Sequence, residues 1–151
     1  MNLSRNQFCD DYAPQLSEAL KAAPRLVELD LTHTNLSDDG LVAFANEYLC
    51  SNPRYLVSLN LSYNKLLKPD AAFEFGQGLC MTGSLRQINL KRMRITSTVI
   101  AQLAKGFSAQ LTHINLDNNK LSTEGFAALR RQIASGQGGD YINPKNTSEV
   151  I

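Results

Sequence analysis

One phrase recurs along the chain and restricts its fold more than any other feature of the sequence. The phrase is Leu-x-x-Leu-x-Leu-x-x-Asn-x-Leu, and four copies of it begin at Leu26, Leu56, Leu85 and Leu111. The N-terminal residues supply the second half of another copy, with Leu3 in the place of the third leucine. Counted between third leucines, the copies are 28, 30, 29 and 26 residues apart. A period this narrow predicts a stack of similar units.

Each copy predicts a short strand, and the residues that follow it predict a helix. Around Leu29 and Leu31, apolar residues alternate with polar ones, which is the period of a half-buried strand. Between copies, apolar residues return at helical spacing, and Ser37, Thr96 and Ser122 precede these stretches as candidate N-caps. Strand, helix and strand in repetition predict a parallel sheet backed by helices. Because helices are wider than the spacing of strands, we expect the strands on the concave side of a curved stack.

The phrase and its period resemble leucine-rich repeats, and helical segments in repeats of 26 to 30 residues are similar to the ribonuclease-inhibitor-like subfamily. The resemblance implies an α/β fold, a right-handed solenoid in a horseshoe arc with a parallel β-sheet on the concave face and helices on the convex face. The repeat domain is expected to span 1–143, with a half repeat at 1–25 and repeats that start at 26, 56, 85 and 111. Ile142 is expected to supply a last strand, and 144–151 a polar C-terminal tail.

The asparagine position of the phrase alternates between asparagine and other residues. It reads Asn6, Thr34, Asn64, Met93 and Asn119. A side-chain amide at this position can bond the backbone groups that are exposed where the chain turns out of the strand, so we expect a scaffold role for the asparagines. Threonine can replace the amide in part and methionine hardly at all. The sequence therefore predicts an irregular turn near Met93.

Charge and hydropathy exclude several classes of partner. The 151 residues include 15 basic and 14 acidic side chains, which gives a formal net charge of +1. No field of one sign is present to draw the protein to nucleic acid or to an anionic membrane. The apolar runs are far shorter than the roughly 20 residues of a membrane span, and the acidic N-terminus lacks the features of a signal peptide. We expect a cytoplasmic protein with no nucleic-acid and no membrane partner.

The residue types that carry chemistry are few and far apart. The three cysteines, Cys9, Cys50 and Cys80, have no metal-ligand spacing, which favours a reducing compartment and burial as small hydrophobic side chains. His33 and His113 fall in different repeats and beside no cysteine, so no Cys-His nucleophilic pair is predicted. Motifs for metal, nucleotide or phosphate binding do not occur in the sequence. We expect no catalytic residue, no metal, no cofactor and no small-molecule substrate.

Charged residues cluster in the loops that follow the predicted strands. Two acidic pairs, Asp10 with Asp11 and Asp38 with Asp39, occupy equivalent loops before predicted helices. Calcium binding is one interpretation, but the pairs lie a whole repeat apart, and solvated carboxylates that favour the helix dipole are the better one. The basic run Lys91–Arg94 and lysines in neighbouring turns predict a rim that is solvated or complementary to an acidic surface.

The alternation within each strand also predicts which side chains the concave face presents to a partner. The candidate partner-binding residues are Glu28, Asp30, Thr32, His33, Asn60, Tyr63, Gln87, Asn89, Lys91, Arg92, His113, Asn115 and Asp117, and further outward positions are Ser58, Ser62 and Asn118. Short polar residues occupy the same strand position in successive repeats, namely Asn2, Asp30, Asn60, Asn89 and Asn115. This row has two interpretations: its members contact a partner, or they form a ladder that stabilises the face. Aromatic and basic anchors among small polar groups are typical of a protein-binding face.

These features favour a non-enzymatic interaction module that binds another protein, an enzyme of host or bacterial origin, and regulates it by covering its functional surface. Small leucine-rich proteins of this kind are similar to enzyme inhibitors and to effectors that intracellular bacteria deliver into the host cytosol. A second interpretation is a GTPase regulator, in which Arg92 or Arg94 reaches the nucleotide. A third is a structural fragment of a larger repeat receptor, which the start of the chain within a predicted strand favours.

Overall fold

The computed structural model describes residues 1–108, 110–135 and 142–143. Within these residues the helices are α1 (Ala13–Lys21), α2 (Asp38–Glu47), α3 (Pro69–Met81), α4 (Ser97–Leu103) and α5 (Thr123–Ser135). Short 3-10 turns lie at Asp10–Tyr12, Leu49–Ser51 and Ala104–Gly106. The strands are β1 (Glu28–Asp30), β2 (Ser58–Asn60), β3 (Gln87–Asn89), β4 (His113–Asn115) and β5 (Ile142–Asn143).

The strands form one parallel sheet in the order of the sequence, β1-β2-β3-β4-β5. Pairing joins equivalent residues of successive repeats, so that Leu29 lies opposite Leu59 and Ile114 opposite Ile142. Helices α2 to α5 each lie between two strands in sequence, α1 precedes β1, and successive helices pack against each other. The predicted α/β repeat solenoid with a parallel sheet is confirmed, and so is a last strand at Ile142. The predicted tail at 144–151 lies outside the described residues.

The N-terminal half repeat extends the sheet on the side of β1. Asn2 forms a parallel bridge with Asp30, and the backbone N–H of Leu3 donates to the carbonyl of Asp30 at 2.8 Å. The next backbone bond runs from Arg5 N–H to the carbonyl of Thr32. These residues therefore repeat the pairing of the other units, although they form a single bridge and no full strand.

The core consists of the inward leucines of the phrase and the inner face of each helix. Leu31, Leu61 and Leu90 have no exposed surface, and neither do Phe44 and Phe75 of the helices. Each repeat adds the same layer of apolar side chains to the one before it, so the core runs the length of the stack. A continuous core of this kind is the reason that a repeat is stable only beside its neighbours.

Two glycines let the backbones of neighbouring repeats touch. A Cβ atom added to Gly106 would lie 1.8 Å from the carbonyl oxygen of Gly76 in α3. No side chain fits in this space, because the atom in the way belongs to the main chain. The close approach fixes the 3-10 turn Ala104–Gly106 against α3.

One buried amide holds the turns of two successive repeats. The Asn64 side chain, 2% exposed, donates from Nδ2 to the carbonyls of Leu31 at 2.8 Å and Leu61 at 2.9 Å. Its Oδ1 accepts from the backbone N–H groups of Leu36 at 3.0 Å and Thr34 at 3.2 Å. Asn64 thus bonds its own repeat and the preceding one, in which the asparagine position is a threonine.

Asn119 repeats this arrangement across the next pair of repeats. Its Nδ2 donates to the carbonyls of Leu90 at 2.8 Å and Leu116 at 2.9 Å, and its Oδ1 accepts from the N–H groups of Met93 and Ile95 at 3.0 Å each. The expected scaffold role of the buried asparagines is confirmed. The predicted irregular turn near Met93 is wrong, because the amide of the following repeat supplies the bonds that methionine cannot make.

The alternation of the asparagine position therefore has a direct cause. An amide that reaches backwards makes a second amide in the preceding repeat unnecessary, so that position is free to hold Thr34 or a fully buried Met93. Asn6, in the first half repeat, is exposed and donates only to the carbonyl of Leu3 at 2.9 Å. Asn6 therefore has the residue type of the repeat phrase, but it does not bond two repeats as Asn64 and Asn119 do.

The first carboxylate of each acidic pair also joins adjacent repeats. Asp38 is 6% exposed, and its Oδ1 accepts from the N–H groups of Leu67 at 2.8 Å and Lys68 at 3.0 Å. Asp10 accepts from the N–H of Ser37 at 2.8 Å and also from the Ser37 hydroxyl. The prediction that the acidic side chains are solvated is wrong for Asp38, which is buried because it caps the loop of the following repeat. Asp10 is half-buried, and the second members of the pairs, Asp11 and Asp39, are exposed as predicted.

Two of the three predicted N-caps are confirmed. The Thr96 hydroxyl accepts from the N–H of Val99 at 3.4 Å, and the Ser122 hydroxyl accepts from the N–H of Gly125 at 3.2 Å. Ser37 makes no cap bond to α2, since its hydroxyl is bonded to the carboxylate of the preceding repeat.

The prediction that the cysteines are buried is wrong. Cys50 and Cys80 are exposed, and Cys9 is half-buried. Cys50 and Cys80 follow Leu49 and Leu79, which are 0% and 3% exposed at the ends of their helical segments. Neighbouring residues in a helical turn point to different sides, so the buried leucine directs the cysteine after it towards solvent.

The bonding of the asparagines predicts unequal effects of the same substitution. Asn64→Ala leaves buried carbonyl and N–H groups of two repeats without partners, so we expect the free energy of unfolding to fall by about 3 kcal/mol. Asn6→Ala removes one exposed bond and should cost less than about 1 kcal/mol. Urea denaturation followed by circular dichroism measures both values. Equal losses in the two variants would contradict the shared-amide explanation.

Burial of Tyr48 predicts a loss of stability at alkaline pH. Its side chain is 2% exposed, and its hydroxyl has no hydrogen-bond partner among the residues that the structure describes. Burial raises the pKa of the phenol above its usual value of about 10. The folded state then holds this proton more tightly, so the stabilisation is present below pH 10 and is lost as pH rises through the folded-state pKa. Tyr48→Phe should flatten this alkaline loss and raise the free energy of unfolding at pH 7 by about 1 kcal/mol.

Denaturant unfolding at neutral and alkaline pH tests this expectation, with Tyr12→Phe at an exposed position as the matched control. A Tyr48→Phe variant that is less stable than the parent at pH 7 would contradict it.

Candidate functional site

The sheet places all of the predicted partner-binding residues on or directly beside its solvent-facing side, which we call the sheet face. The middle residue of β1, β2 and β3 is at most 2% exposed, so the residues on either side of it point away from the core. The exposed members are Glu28, His33, Tyr63, Gln87, Arg92 and His113. The half-buried members are Asp30, Thr32, Asn60, Asn89, Lys91, Asn115 and Asp117.

Ser62 departs from the predicted pattern. It occupies an outward position, yet it is only 4% exposed. Its hydroxyl donates to Asn60 Oδ1 at 2.8 Å and lies 3.1 Å from the hydroxyl of Thr32. The prediction that Ser62 faces solvent is wrong, since the residue is buried and its hydroxyl bonds Asn60 and lies against Thr32.

The row of short polar side chains down the sheet stabilises the local backbone. In each repeat the side-chain oxygen accepts from the backbone N–H two residues later, over distances of 2.8 to 3.1 Å. The accepting residues are Asn2, Asp30, Asn60, Asn89 and Asn115. Such bonds fold the chain into an Asx turn, which asparagine and aspartate favour. These residues therefore shape the end of their own strand.

Directly after these turns, one residue in each repeat adopts a left-handed backbone. The φ angles are 60° at Arg5, 55° at His33, 62° at Tyr63, 53° at Arg92 and 57° at Asn118. Residues other than glycine avoid this region unless the surrounding bonds enforce it. Except at Arg5, which precedes the exposed Asn6, the Asx turn and a buried amide hold the backbone on both sides of this position. The side chains there consequently project from equivalent, fixed points of successive repeats.

Three of these side chains meet and form the His33–Tyr63–Arg92 cluster. The rings of His33 and Tyr63 are edge to face, with centroids 6.4 Å apart and planes at 87°. The Arg92 guanidinium carbon lies 5.4 Å from the centroid of the Tyr63 ring, within the range of a cation–π contact. Tyr63 remains 44% exposed between its two neighbours. The cluster combines an aromatic anchor and a cation at the carboxyl end of the strands.

His113 lies at the other end of the sheet face. It is the first residue of β4 and pairs in register with Gln87, the first residue of β3. Its Nδ1 lies 2.9 Å from the hydroxyl of Thr112. Tyr63 and Arg92 therefore lie together, whereas His113, another of the predicted partner-binding residues, lies at the opposite end of the strands.

Opposite charges occupy different strands of the sheet face. Glu28 and Asp30 place acids on β1, whereas Lys91 and Arg92 follow β3. Asp117 follows β4, and its Oδ1 is shielded from solvent without a hydrogen-bond partner. The sequence predicted the position of Asp117 but gave no signal of this unpaired oxygen, because its burial depends on the surrounding side chains.

Neither a cluster of metal-binding side chains nor a membrane-spanning helix is present among the described residues. Among them, no group of three or more histidine, cysteine, aspartate or glutamate side chains could hold a metal ion. No helix of the described segments is long and apolar enough to cross a bilayer.

Comparison with known families agrees with the repeats. Residues 24–45 match a family model described as Leucine Rich repeat, and residues 110–131 match a second one described as Leucine Rich Repeat. No curated protein matches the chain. Domains built from such repeats generally mediate protein–protein interaction. Two segments of the chain are therefore similar to leucine-rich repeats, and the repeating unit of strand and helix agrees with that similarity.

Proposed function

We propose that the protein is a non-enzymatic interaction module that binds a folded protein partner on the sheet face. The partner is an enzyme, and binding inhibits it by covering its active site. The observation that carries the proposal is the His33–Tyr63–Arg92 cluster, because tyrosine and arginine are enriched among the residues that dominate binding energies.

The cluster is suited to binding because its geometry is fixed before a partner arrives. Tyr63 precedes Asn64, whose buried amide holds the turn, and Arg92 precedes Met93, whose N–H is bonded to Asn119. Less side-chain and backbone freedom is then lost on association, which increases the affinity that a given contact area provides. The ring of Tyr63 supplies apolar area, and the guanidinium beside it recognises a carboxylate of the partner.

Charge on the sheet face supports recognition of a partner with the complementary pattern. Basic groups of the partner would face Glu28 and Asp30, and acidic groups would face Lys91 and Arg92. Such a pattern orients the partner and selects against proteins with the reverse arrangement.

We further infer that the repeats are of the ribonuclease-inhibitor-like type and that the domain spans 1–143. Helical connections between all of the first four strands support this inference. Helices about 10 Å wide cannot stack at the strand spacing of about 4.8 Å without curvature, so the sheet face lies on the inside of a horseshoe arc. We place the protein in a reducing cytosol, and its delivery into a host cell as an effector is part of the proposal.

Substitutions in the cluster should weaken binding and leave the fold intact. Tyr63→Ala or Arg92→Ala should each cost about 2 kcal/mol of binding free energy, roughly a 30-fold rise in Kd. Phe73 and Lys105 form a matched pair on the helical side, with the Lys105 ammonium 5.7 Å from the Phe73 ring centroid. Alanine at either of these two positions should leave the Kd unchanged.

The experiment starts with affinity purification from the native cell and, separately, from a eukaryotic lysate. A stoichiometric partner is then purified, and calorimetry gives its Kd for the four variants. The partner's catalytic activity is measured with and without the protein, and inhibition should be lost in the cluster variants. A partner bound equally well by the cluster variants would refute the site. An interaction that leaves the partner's activity unchanged would refute inhibition.

A further inference from the structure

A cleft of about 360 Å³ lies at the opposite end of the strands from the His33–Tyr63–Arg92 cluster. It separates the loop after α1 from the loop after α2, just before β1 and β2 begin. Its volume is at the small end of the range of roughly 300–1,000 Å³ for small-molecule sites. The lining residues that matter here are Lys21, Pro24, Tyr48, Pro53, Arg54 and Tyr55.

The cleft is open because the loops after α1 and α2 lack the hydrogen bonds that join the loops after α2 and α3. In the loop after α3, the Ser84 hydroxyl donates to the carbonyls of Pro53 at 2.9 Å and Leu56 at 2.8 Å. Thr82 likewise donates to the carbonyl of Leu49 at 3.4 Å. These hydroxyls tie the loop after α3 to the loop after α2 and fill the space between them.

One repeat earlier, the equivalent residues cannot make these bonds. Counted from the leucine that begins each phrase, Pro53 takes the place of threonine and Tyr55 takes the place of serine. Proline has no donor, and the Tyr55 side chain is 55% exposed, with its hydroxyl at the far end of the ring. The space between the loops after α1 and α2 therefore remains open.

The wall of the cleft contains an unsatisfied donor. Tyr48 is 2% exposed, and its hydroxyl is buried without a hydrogen-bond partner. Buried hydroxyls in proteins are nearly always bonded, since an unmade bond costs free energy. The hydroxyl oxygen has almost no accessible surface, so a ligand oxygen reaches it only when side chains that line the cleft move aside. A ligand that does so would remove this cost, and the hydroxyl therefore selects for ligands with an acceptor oxygen.

The remaining lining residues define the charge and shape of that ligand. Lys21 and Arg54 supply two cations, and none of the described residues that line the cleft is acidic. Lys21 also contacts Glu18, an exposed ion pair of the kind that contributes little and is easily exchanged. The exposed Tyr55 ring and the two prolines offer flat apolar surfaces. Anionic, planar and largely apolar ligands match this combination.

We propose that the cleft is a binding site for a small aromatic carboxylate. The carboxylate accepts a hydrogen bond from the Tyr48 hydroxyl and lies between Lys21 and Arg54, whose long side chains move aside to admit it. The aromatic ring packs against Tyr55 and Pro53. The site is separate from the sheet face, so its occupancy does not require a protein partner.

Indole-3-acetate serves as the probe, because the chain has no tryptophan and the fluorescence of the indole is therefore free of a tryptophan background. Its anisotropy is followed during titration with the protein, and amide shifts in NMR spectra of labelled protein locate the site. Indole-3-ethanol, which has the same ring and no charge, is the ligand control. Tyr48→Phe and Arg54→Gln are the test variants, and Arg130→Gln on the exposed side of α5 is the matched control.

We expect saturable binding of indole-3-acetate, with shifts confined to amides between 20 and 25 and between 48 and 56. Tyr48→Phe should raise the Kd at least about tenfold, since a bond to a charged acceptor is lost. Arg54→Gln should raise it about threefold, and Arg130→Gln should not change it. Indole-3-ethanol should bind more weakly than the acid.

Three results would overturn the proposal. They are no saturable binding up to about 10 mM, an unchanged Kd in a folded Tyr48→Phe variant, and shifts located on the sheet face instead of the cleft. Equal affinity for the acid and the alcohol would overturn the assignment to carboxylates. Arg54→Gln alters only an exposed side chain, so it remains a valid test if Tyr48→Phe does not fold.

Discussion

Where the short strands end, several backbone groups are bonded by side chains instead of by the neighbouring strand, and the structure depends on those bonds. Where the chain turns out of the sheet it is still buried, so water does not bond its carbonyl and N–H groups. Asn64 and Asn119 solve this problem for two repeats each, since one amide donates to two carbonyls and accepts from two N–H groups. Asp10 and Asp38 do the same for the loops farther along the turn. Neighbouring repeats are therefore joined by polar bonds as well as by the apolar core.

The candidate binding surface is a product of the same bonds. A left-handed backbone at Tyr63 and Arg92 would be unfavourable in a loose loop, but the Asx turn before it and the amide after it leave no other conformation. Side chains at that position are consequently displayed at regular intervals along one edge of the sheet. Their contacts with each other follow from the spacing of the strands. Rigidity of the scaffold and display of the anchors thus have one cause.

The sequence predicted those features that depend on alternation within a repeat. The register of Leu29 against Leu59, the parallel sheet and the last strand at Ile142 all follow from the period and the apolar pattern. It failed where a residue of one repeat bonds a residue of the next, as at Met93, Asp38 and Ser62. Those pairs are 26 to 30 residues apart, and reading each copy by itself cannot reveal them. The sequence does not predict the cleft beside Tyr48 either. The cleft becomes evident only when two neighbouring loops are compared, because one of them lacks the hydroxyls that close the space.

Sharing of one amide between two repeats also restricts how the length of such a chain can change. Removal of a single repeat would place two repeats without the asparagine side by side, or would leave an asparagine without a preceding repeat whose turn it can bond. Removal or duplication of a pair, from Leu31 to Leu90 or from Leu61 to Leu116, keeps every buried turn matched with its amide. The unit of insertion, deletion and repeat-protein engineering in this scaffold is therefore two repeats long.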